Sequence, residues 1–425
     1  MTFDIAQRSR RFAVIALILS AAALDIALVT AQSTAAQLAE TMREPYLRWA
    51  VRLDPFNAEY RDKFARFDLL VKQSPAAAIP WSQAATRLNP QHANYWFDRA
   101  VEEQLSGDVS SELASLSHAA DANPHSSGLA WEIGNIYLAN GATEDALRQY
   151  HKVMENDPQL APQAIAVGWK IRPDVNFLLD NVVPANAGKA FLNFLIANHQ
   201  TRSAAKVWEK IAASAQPVER PFLFDYVRYL LANHEPSQAA HVWQQAADLS
   251  GIAAYQPSEE NLLVNGNFSL PILNAGFDWM YQKNPAISLA LDPNAGHSSA
   301  KSLRIVFDGA GIADAGIRQV VSVETNTQYV FSGFYKAEKI EGAGGARLEL
   351  QDLYSDVSLF MSDDLREEDY WTEVSGAFTT GPDTRVLLLR IARVPAGSPI
   401  RGKLWIDDLR LITADHLNDA PKGHS

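Results

Sequence analysis

The feature that most constrains this chain is a proline returning at a near-fixed interval after an Asn or Asp: Asp54-Pro55, Asn89-Pro90, Asn123-Pro124 and Asp157-Pro158, spaced by 35, 34 and 34 residues. Proline cannot continue a helix, and it biases the residue before it away from helical dihedrals, so evenly spaced Asx-Pro pairs predict evenly spaced helix ends. A period of this length is the signature of stacked helical hairpins, each able to bury its apolar face only against its neighbours. Two later segments repeat each other at an offset of 35, LIANHQTRSAAKVWEKIAA from Leu195 and LLANHEPSQAAHVWQQAAD from Leu230. Their Asn198-His199 and Asn233-His234 pairs stand where an earlier unit has Asn140-Gly141, a turn that welcomes a left-handed residue, so both histidines read as turn residues rather than metal ligands. Trp208 and Trp243 take the slot of Tyr150. Between these units, IRPDVNFLLDNVVPANAG (Ile171 to Gly188) breaks the rhythm with two prolines and reads as a degenerate repeat or a kink.

The unit ending at Pro158, SGLAWEIGNIYLANGATEDALRQYHKVMENDP, resembles tetratricopeptide repeats through Ile133-Gly134, Tyr137, Gly141, Ala146, Tyr150, Val153 and Pro158. The resemblance implies paired helices brought close by Gly134 and Ala146, tyrosines filling the space between units, and a concave groove built from first helices. Placed by repeat position, Asn94, Phe97, Val101, Trp131, Asn135 and Leu138 are the candidate partner-groove residues. Asn135 falls where some members hold a peptide carboxylate, but Trp131 occupies the place of the accompanying lysine, which disfavours a carboxylate clamp. The opening helix, roughly Ser33 to Leu53, reads as a lone second helix whose first helix is missing or merged with what precedes it.

What precedes it is a targeting pattern: Arg8, Arg10 and Arg11 lead into FAVIALILSAAAL from Phe12 to Leu24, and apolar character resumes after Asp25 through Val29. Val29-Thr30-Ala31 resembles a small-residue cleavage site, which fits a removable signal peptide. Counted through Asp25, Phe12 to Ala31 is about twenty residues, enough for an uncleaved anchor. The anchor is favoured because the following segment is helical, and in either case the basic flank stays inside. The expected location is the cell envelope, at the periplasmic face of the inner membrane or in the soluble periplasm.

After Pro257 the period switches to short alternating segments bounded by Gly, Asn, Asp and Pro. Expected strands are Ile287 to Leu291, Ser302 to Phe307, Ile317 to Val323, Gln328 to Ala337, Arg347 to Tyr354, Trp371 to Phe378, Val386 to Ala392 and Leu404 to Leu411, about ten with those at the ends. The chain is thus expected to be multidomain, α then β: a signal or anchor over 1–31, a helical solenoid over 32–257, a jelly-roll β-sandwich over 258–413 and a flexible tail over 414–425. The end segments NLLVNGNFS (Asn261 to Ser269) and LWIDDLRL (Leu404 to Leu411) resemble the bracketing strands of galactose-binding-like carbohydrate-binding modules, with GFDWMYQK, SLRIVF and QYVFSGFYKA matching in between. That resemblance implies a structural calcium near the end strands. Ser269 replaces the usual acidic residue, leaving Asp407 as the first choice of ligand, and Asp408 beside it. It also implies sugar contact, for which aromatic faces and planar polar groups are needed. Candidates are Arg347, Glu349 and Gln351 on one sheet face, Tyr281, Tyr335, Tyr354 and Trp371 as platforms, and Arg390 as a donor; Trp279 is expected in the core.

A formal charge of −12 opposes a nucleic-acid partner, and the absence of cysteine excludes disulfides, thiolate metal sites and cysteine nucleophiles. Ser298-Ser299-Ala300-Lys301 has an S-x-x-K spacing without its partner motifs. The run Asp363-Asp364-Leu365-Arg366-Glu367-Glu368-Asp369 reads as a solvated loop. The expectation is a non-catalytic extracytoplasmic scaffold, with a protein partner on the repeats and a polysaccharide or a second protein on the sandwich, in envelope polysaccharide assembly or export. The alternatives are a glycoside hydrolase or its accessory subunit, in which the acidic run supplies the carboxylates, and a purely structural envelope protein.

Overall fold

The computed structural model describes residues 8–298, 300–366 and 369–415, with side chains from residue 11 onward. The side chains of Arg8 and Arg10, the residues Ser299, Glu367 and Glu368, and the expected tail from residue 416 lie outside the described residues. The chain divides into two compact units between Phe194 and Leu195.

The first unit is helical. Helix α1 (Arg8–Glu40) is followed by α2 (Glu44–Leu53), α3 (Ala58–Leu70), α4 (Pro75–Leu88), α5 (Ala93–Ser106), α6 (Val109–Ala122), α7 (Ser127–Ala139), α8 (Thr143–Asn156), α9 (Ala161–Ile171) and α10 (Val175–Asn181). Asp54, Asn89, Asn123 and Asp157 are the C-caps of α2, α4, α6 and α8, all with φ between −134° and −143° and ψ between 77° and 99°. The pre-proline restriction therefore ends these four helices in the same way. Between α7 and α8, a Cβ on Gly134 would lie 3.1 Å from the Tyr150 ring, so the glycine sets the close approach. Tyr137 and Tyr150 are buried as expected.

One helical expectation is corrected, and of the two readings of the irregular segment the structure bears out the degenerate repeat. The opening helix does not run from Ser33 to Leu53: it breaks at Thr41 to Arg43, where Pro45 starts α2. Its first helix is merged with the apolar segment, because α1 passes unbroken from Arg8 to Glu40 and buries Ala35 and Ala39 against Leu47, Ala50, Tyr60 and Phe64. The irregular segment contains a seven-residue second helix, α10, followed by a 3₁₀ turn at Ala185–Ala187, so it is a shortened repeat.

Helix α11 (Gly188–Ala197) leads to α12 (Thr201–Ala213), α13 (Arg220–Ala232) and α14 (Pro236–Leu249). His199 and His234 have φ of 54° and 61°, the left-handed turn geometry that glycine supplies at position 141. Trp208 and Trp243 are buried.

Ten strands follow among the described residues: β1 (Met280–Tyr281), β2 (Ile287–Asp292), β3 (Ser302–Gly311), β4 (Asp314–Ser322), β5 (Gln328–Gly342), β6 (Ala346–Asp352), β7 (Ser358–Met361), β8 (Thr372–Thr379), β9 (Val386–Arg393) and β10 (Pro399–Thr413). They form two antiparallel five-stranded sheets, sheet I in the order β1-β4-β9-β6-β7 and sheet II in the order β2-β3-β10-β5-β8. The inner faces meet in one core that includes Phe268, Trp279, Phe331, Leu350, Leu389 and Ile406.

The segment Asn261 to Ser269 is not the strand its resemblance implies. It is a strap held on β10: Leu262 N donates to Leu411 O, Leu409 N to Gly266 O, and the Asn261 side chain donates to Leu409 O while accepting from Leu411 N and Leu263 N. A Cβ on Gly266 would sit 2.1 Å from Leu409 O, which is why glycine stands at this point.

The sandwich packs against the last helical repeat. Trp243 lies over Gly276 and meets Phe277 edge-on at 5.9 Å, the Tyr354 hydroxyl donates to Leu231 O at 2.9 Å, and His234 stacks on the Tyr354 ring at 4.2 Å.

Candidate functional site

In α5 and α7 the six groove candidates fall at helical spacing. Asn94 and Asn135 are exposed, and Phe97, Val101, Trp131 and Leu138 are half-buried. Asn135 accepts the Tyr150 hydroxyl at 2.8 Å, and Trp131 meets the same ring edge-on, so these two are tied to the framework of their own hairpin.

On the sandwich, inward Leu348 and Leu350 alternate with Arg347, Glu349 and Gln351, which share the outer face of sheet I. Register sets Arg390 opposite Glu349 and Arg318 opposite Arg390. Glu349 accepts from Arg390 at 2.8 Å, Arg347 pairs with Asp364 at 2.8 Å, and Gln351 donates to Asp356. Burial raises the Asp364 carboxyl, but the Arg347 hydrogen bond, the Gly345 N–H and the charges of Arg347 and Arg366 together outweigh it and hold the group below the ordinary carboxylate range. The arginines Arg318 and Arg390 thus face each other across neighbouring strands, with one carboxylate, Glu349, on the far side of Arg390. Like charges placed so are unfavourable unless an anion or a polar ligand joins them.

Two adjoining cavities lie over this face and share Met280, Arg318 and Leu388. The larger, about 450 Å³, is walled by Phe224, Leu231, His234 and Tyr354. The smaller, about 140 Å³, is bordered by Tyr281, Asp314 and Arg390. Tyr281 is 42% exposed. Arg318, Met280, Leu388 and the helical wall were not anticipated from the sequence. The signal was present in β9, whose run VLLLRIA is apolar on both faces, as a strand reads when its outer face is also covered.

The remaining candidates lie elsewhere. Tyr335 shares its side of β5 with Tyr329 and Phe331 and is buried in the core, so it offers no platform. Trp371, just before β8, belongs to sheet II, where it meets His297 edge-on at 5.7 Å while His297 stacks on Phe334. Neither stands beside the Arg347 row. Trp279 is fully buried, as expected.

Asp407 and Asp408 form a hydrogen-bonded lock. The two oxygens of Asp407 accept from His297 N and Asp408 N, while Asp408 accepts from the His297 ring, Ser298 N and the Ser298 hydroxyl. Burial pushes Asp407 up to about 6. Calcium requires converging oxygens, and what converges on the two oxygens of Asp407 is a pair of backbone N–H groups, a set that does not fit the ion. Among the described residues, no group of three His, Asp or Glu is placed to hold a metal. The same lock accounts for Ser298 of the S-x-x-K sequence, whose hydroxyl is committed to Asp408.

No family model matches the chain, and no curated protein matches it. Among solved structures it is similar to a CBM4 structure (16% identity over 36% of this chain and 99% of that one, TM-score 0.28). It is similar to MamA (18% identity, 40% of this chain and 88% of that one, TM-score 0.27). The CBM22-1 xylan-binding domain of Paenibacillus barcinonensis Xyn10C matches at 16% identity over 32% of this chain and 85% of that one, with a TM-score of 0.22. On its own helices and sheets, the chain is an array of paired helices followed by a β-sandwich of two antiparallel five-stranded sheets.

Proposed function

We propose that this chain is a non-catalytic scaffold on the extracytoplasmic side of a membrane, engaging a protein through its helical repeats and a polysaccharide through the outer face of sheet I. The observation that carries the reading is the pair of cavities over that face, where Arg318 and Arg390 converge beside Tyr281, Tyr354 and Met280. Planar guanidinium donors beside aromatic rings suit the hydroxyls and apolar faces of a sugar. Asn94, Phe97, Val101, Trp131, Asn135 and Leu138 are the protein-contact candidates, in keeping with the exposed or half-buried place of each. Envelope polysaccharide assembly or export is the process in which both activities would be used.

Anchoring rests on α1. Arg11–Glu40 is, by length and composition, the one helix among the described residues able to cross a membrane, and Phe12, Leu17, Leu19 and Ile26 are each more than 60% exposed on it. The helix continues through Val29-Thr30-Ala31 into residues packed on α2, which favours an uncleaved anchor in the inner membrane.

The test is a glycan array with the full chain in detergent, followed by titration of the best ligand. Arg318→Gln is expected to weaken binding by about 1.5–3 kcal/mol, the worth of a hydrogen bond to a charged group, and Tyr281→Ala by about 0.5–1.5 kcal/mol, the worth of a stacked ring. Binding to no polysaccharide would instead support a second reading, favoured by the packing of Trp243 on Gly276 and Phe277, in which the sandwich is a structural end-piece of the repeats.

A further inference from the structure

The first hairpin of the array returns to the level at which α1 leaves the apolar stretch. Phe12 to Ala31 is about 30 Å of helix, the thickness of a bilayer's hydrocarbon core. From Ala31 to Glu40, α1 rises about 14 Å further at 1.5 Å per residue. A three-residue turn then reverses the chain, and Ala35 and Ala39 of α1 pack with Leu47 and Ala50 of α2. The ten residues of α2 descend by about the same 14 Å. The opposite end of the hairpin is fixed by Lys72, just past α3, which pairs with Glu44 at the start of α2 at 2.9 Å. The α2–α3 turn, Asp54 to Asn57, is therefore level with Ala31.

The side chains presented there are unlike those of a solvated turn. Phe56 is 84% exposed in the turn, and Trp49, seven residues earlier on α2, is 54% exposed. Arg52 lies between them with its guanidinium over the Trp49 ring at 5.4 Å. Tryptophan with arginine is the composition that settles at the boundary of lipid and water, the ring among the headgroups and the cation near phosphate.

We propose that the α2–α3 turn is a second membrane contact, in which Phe56 enters the bilayer surface that α1 crosses and Trp49 and Arg52 lie at its headgroups. This rests on the anchor reading of α1. A single helix leaves an attached body free to swivel; a second contact beside it fixes the attitude of the array and the direction in which α5 and α7 face.

The chain has no cysteine, so single nitroxide labels can be placed without background. Full-length Phe56→Cys, Leu28→Cys and Leu70→Cys are each labelled and reconstituted in phosphatidylethanolamine–phosphatidylglycerol vesicles. Accessibility to oxygen is then compared with accessibility to a water-soluble nickel complex. Leu70, 69% exposed just before the α3–α4 turn at the other end of the hairpins, is the apolar control for solvent. The expected result is an oxygen-to-nickel ratio at 56 several-fold above that at 70 and approaching that at 28. A label at 28 buried in lipid with 56 as aqueous as 70 overturns the second contact alone. Labels at 28 and 56 both aqueous overturn the anchor and this contact together.

Discussion

Glu102 of α5 is fully buried, accepts the Ser82 hydroxyl at 2.5 Å, and has a second oxygen with no partner. Burial pushes its pKa up to about 7 from 4.5. A carboxyl whose folded pKa is raised is most favourable when protonated, so its contribution is complete below about pH 4.5 and is lost as pH rises through about 7. Glu102→Gln keeps an acceptor for Ser82 and removes the charge. Denaturant melts followed by circular dichroism should show the variant more stable above pH 7 by on the order of 2 kcal/mol, with a flatter pH profile. An unchanged profile would count against this account. Gly276 makes a different demand: its φ of +63° and a Trp243 ring carbon 2.1 Å from where a Cβ would stand leave no room for alanine. Gly276→Ala should cost about 2 kcal/mol or more and shift the Trp emission, since it combines backbone strain with overpacking. At this scale the sequence was partly legible. Strand parity assigned Arg347, Glu349 and Gln351 to one face, and the same parity sets Tyr335 with Tyr329 and Phe331, inside. Arg318 was illegible because its importance comes from Arg390 on the next strand, a neighbour known only once the register is.

Among elements, the second helices α2, α4, α6 and α8 were the most readable, since each of these ends at an Asx-Pro whose restraint is local to two residues. The break between α1 and α2 had a local signal too, Pro45 in the first turn of a helix, which the apolar pattern running past it concealed. The strap from Asn261 to Ser269 had none, because its bonds to Leu409 and Leu411 join residues about 150 positions apart. Asn261→Ala removes two of those bonds and the local one to Leu263 N at once. It should lower stability by roughly 2 kcal/mol and speed hydrogen exchange at the Leu411 amide, which loses its acceptor. Unaltered exchange at Leu411 would show that the strap is held by its backbone alone.

At the scale of the molecule, α12, α13 and α14 group with the sandwich rather than with the helices before them. A fragment starting at 258 exposes Phe277, Val320, Leu388 and Tyr354 where Phe224, Leu231 and Trp243 had covered them. The fragment 195–415 should therefore melt in one transition, at a higher temperature than 258–415, by calorimetry. Equal midpoints would mean the helical cover adds nothing.

The strand order carries a consequence for the making of the protein. In the first unit successive helices pack on one another, so each hairpin can settle as soon as it has been synthesised, with nothing downstream required. Sheet II obeys the reverse rule. Its middle place, between β3 and β5, belongs to β10, the last strand among the described residues, and the strap that opens the domain is tied to that same strand. A ribosome that stops before residue 399 leaves a finished helical array attached to a sandwich split down its centre. Premature termination therefore marks itself, as two unpaired strand edges that quality-control proteases can recognise.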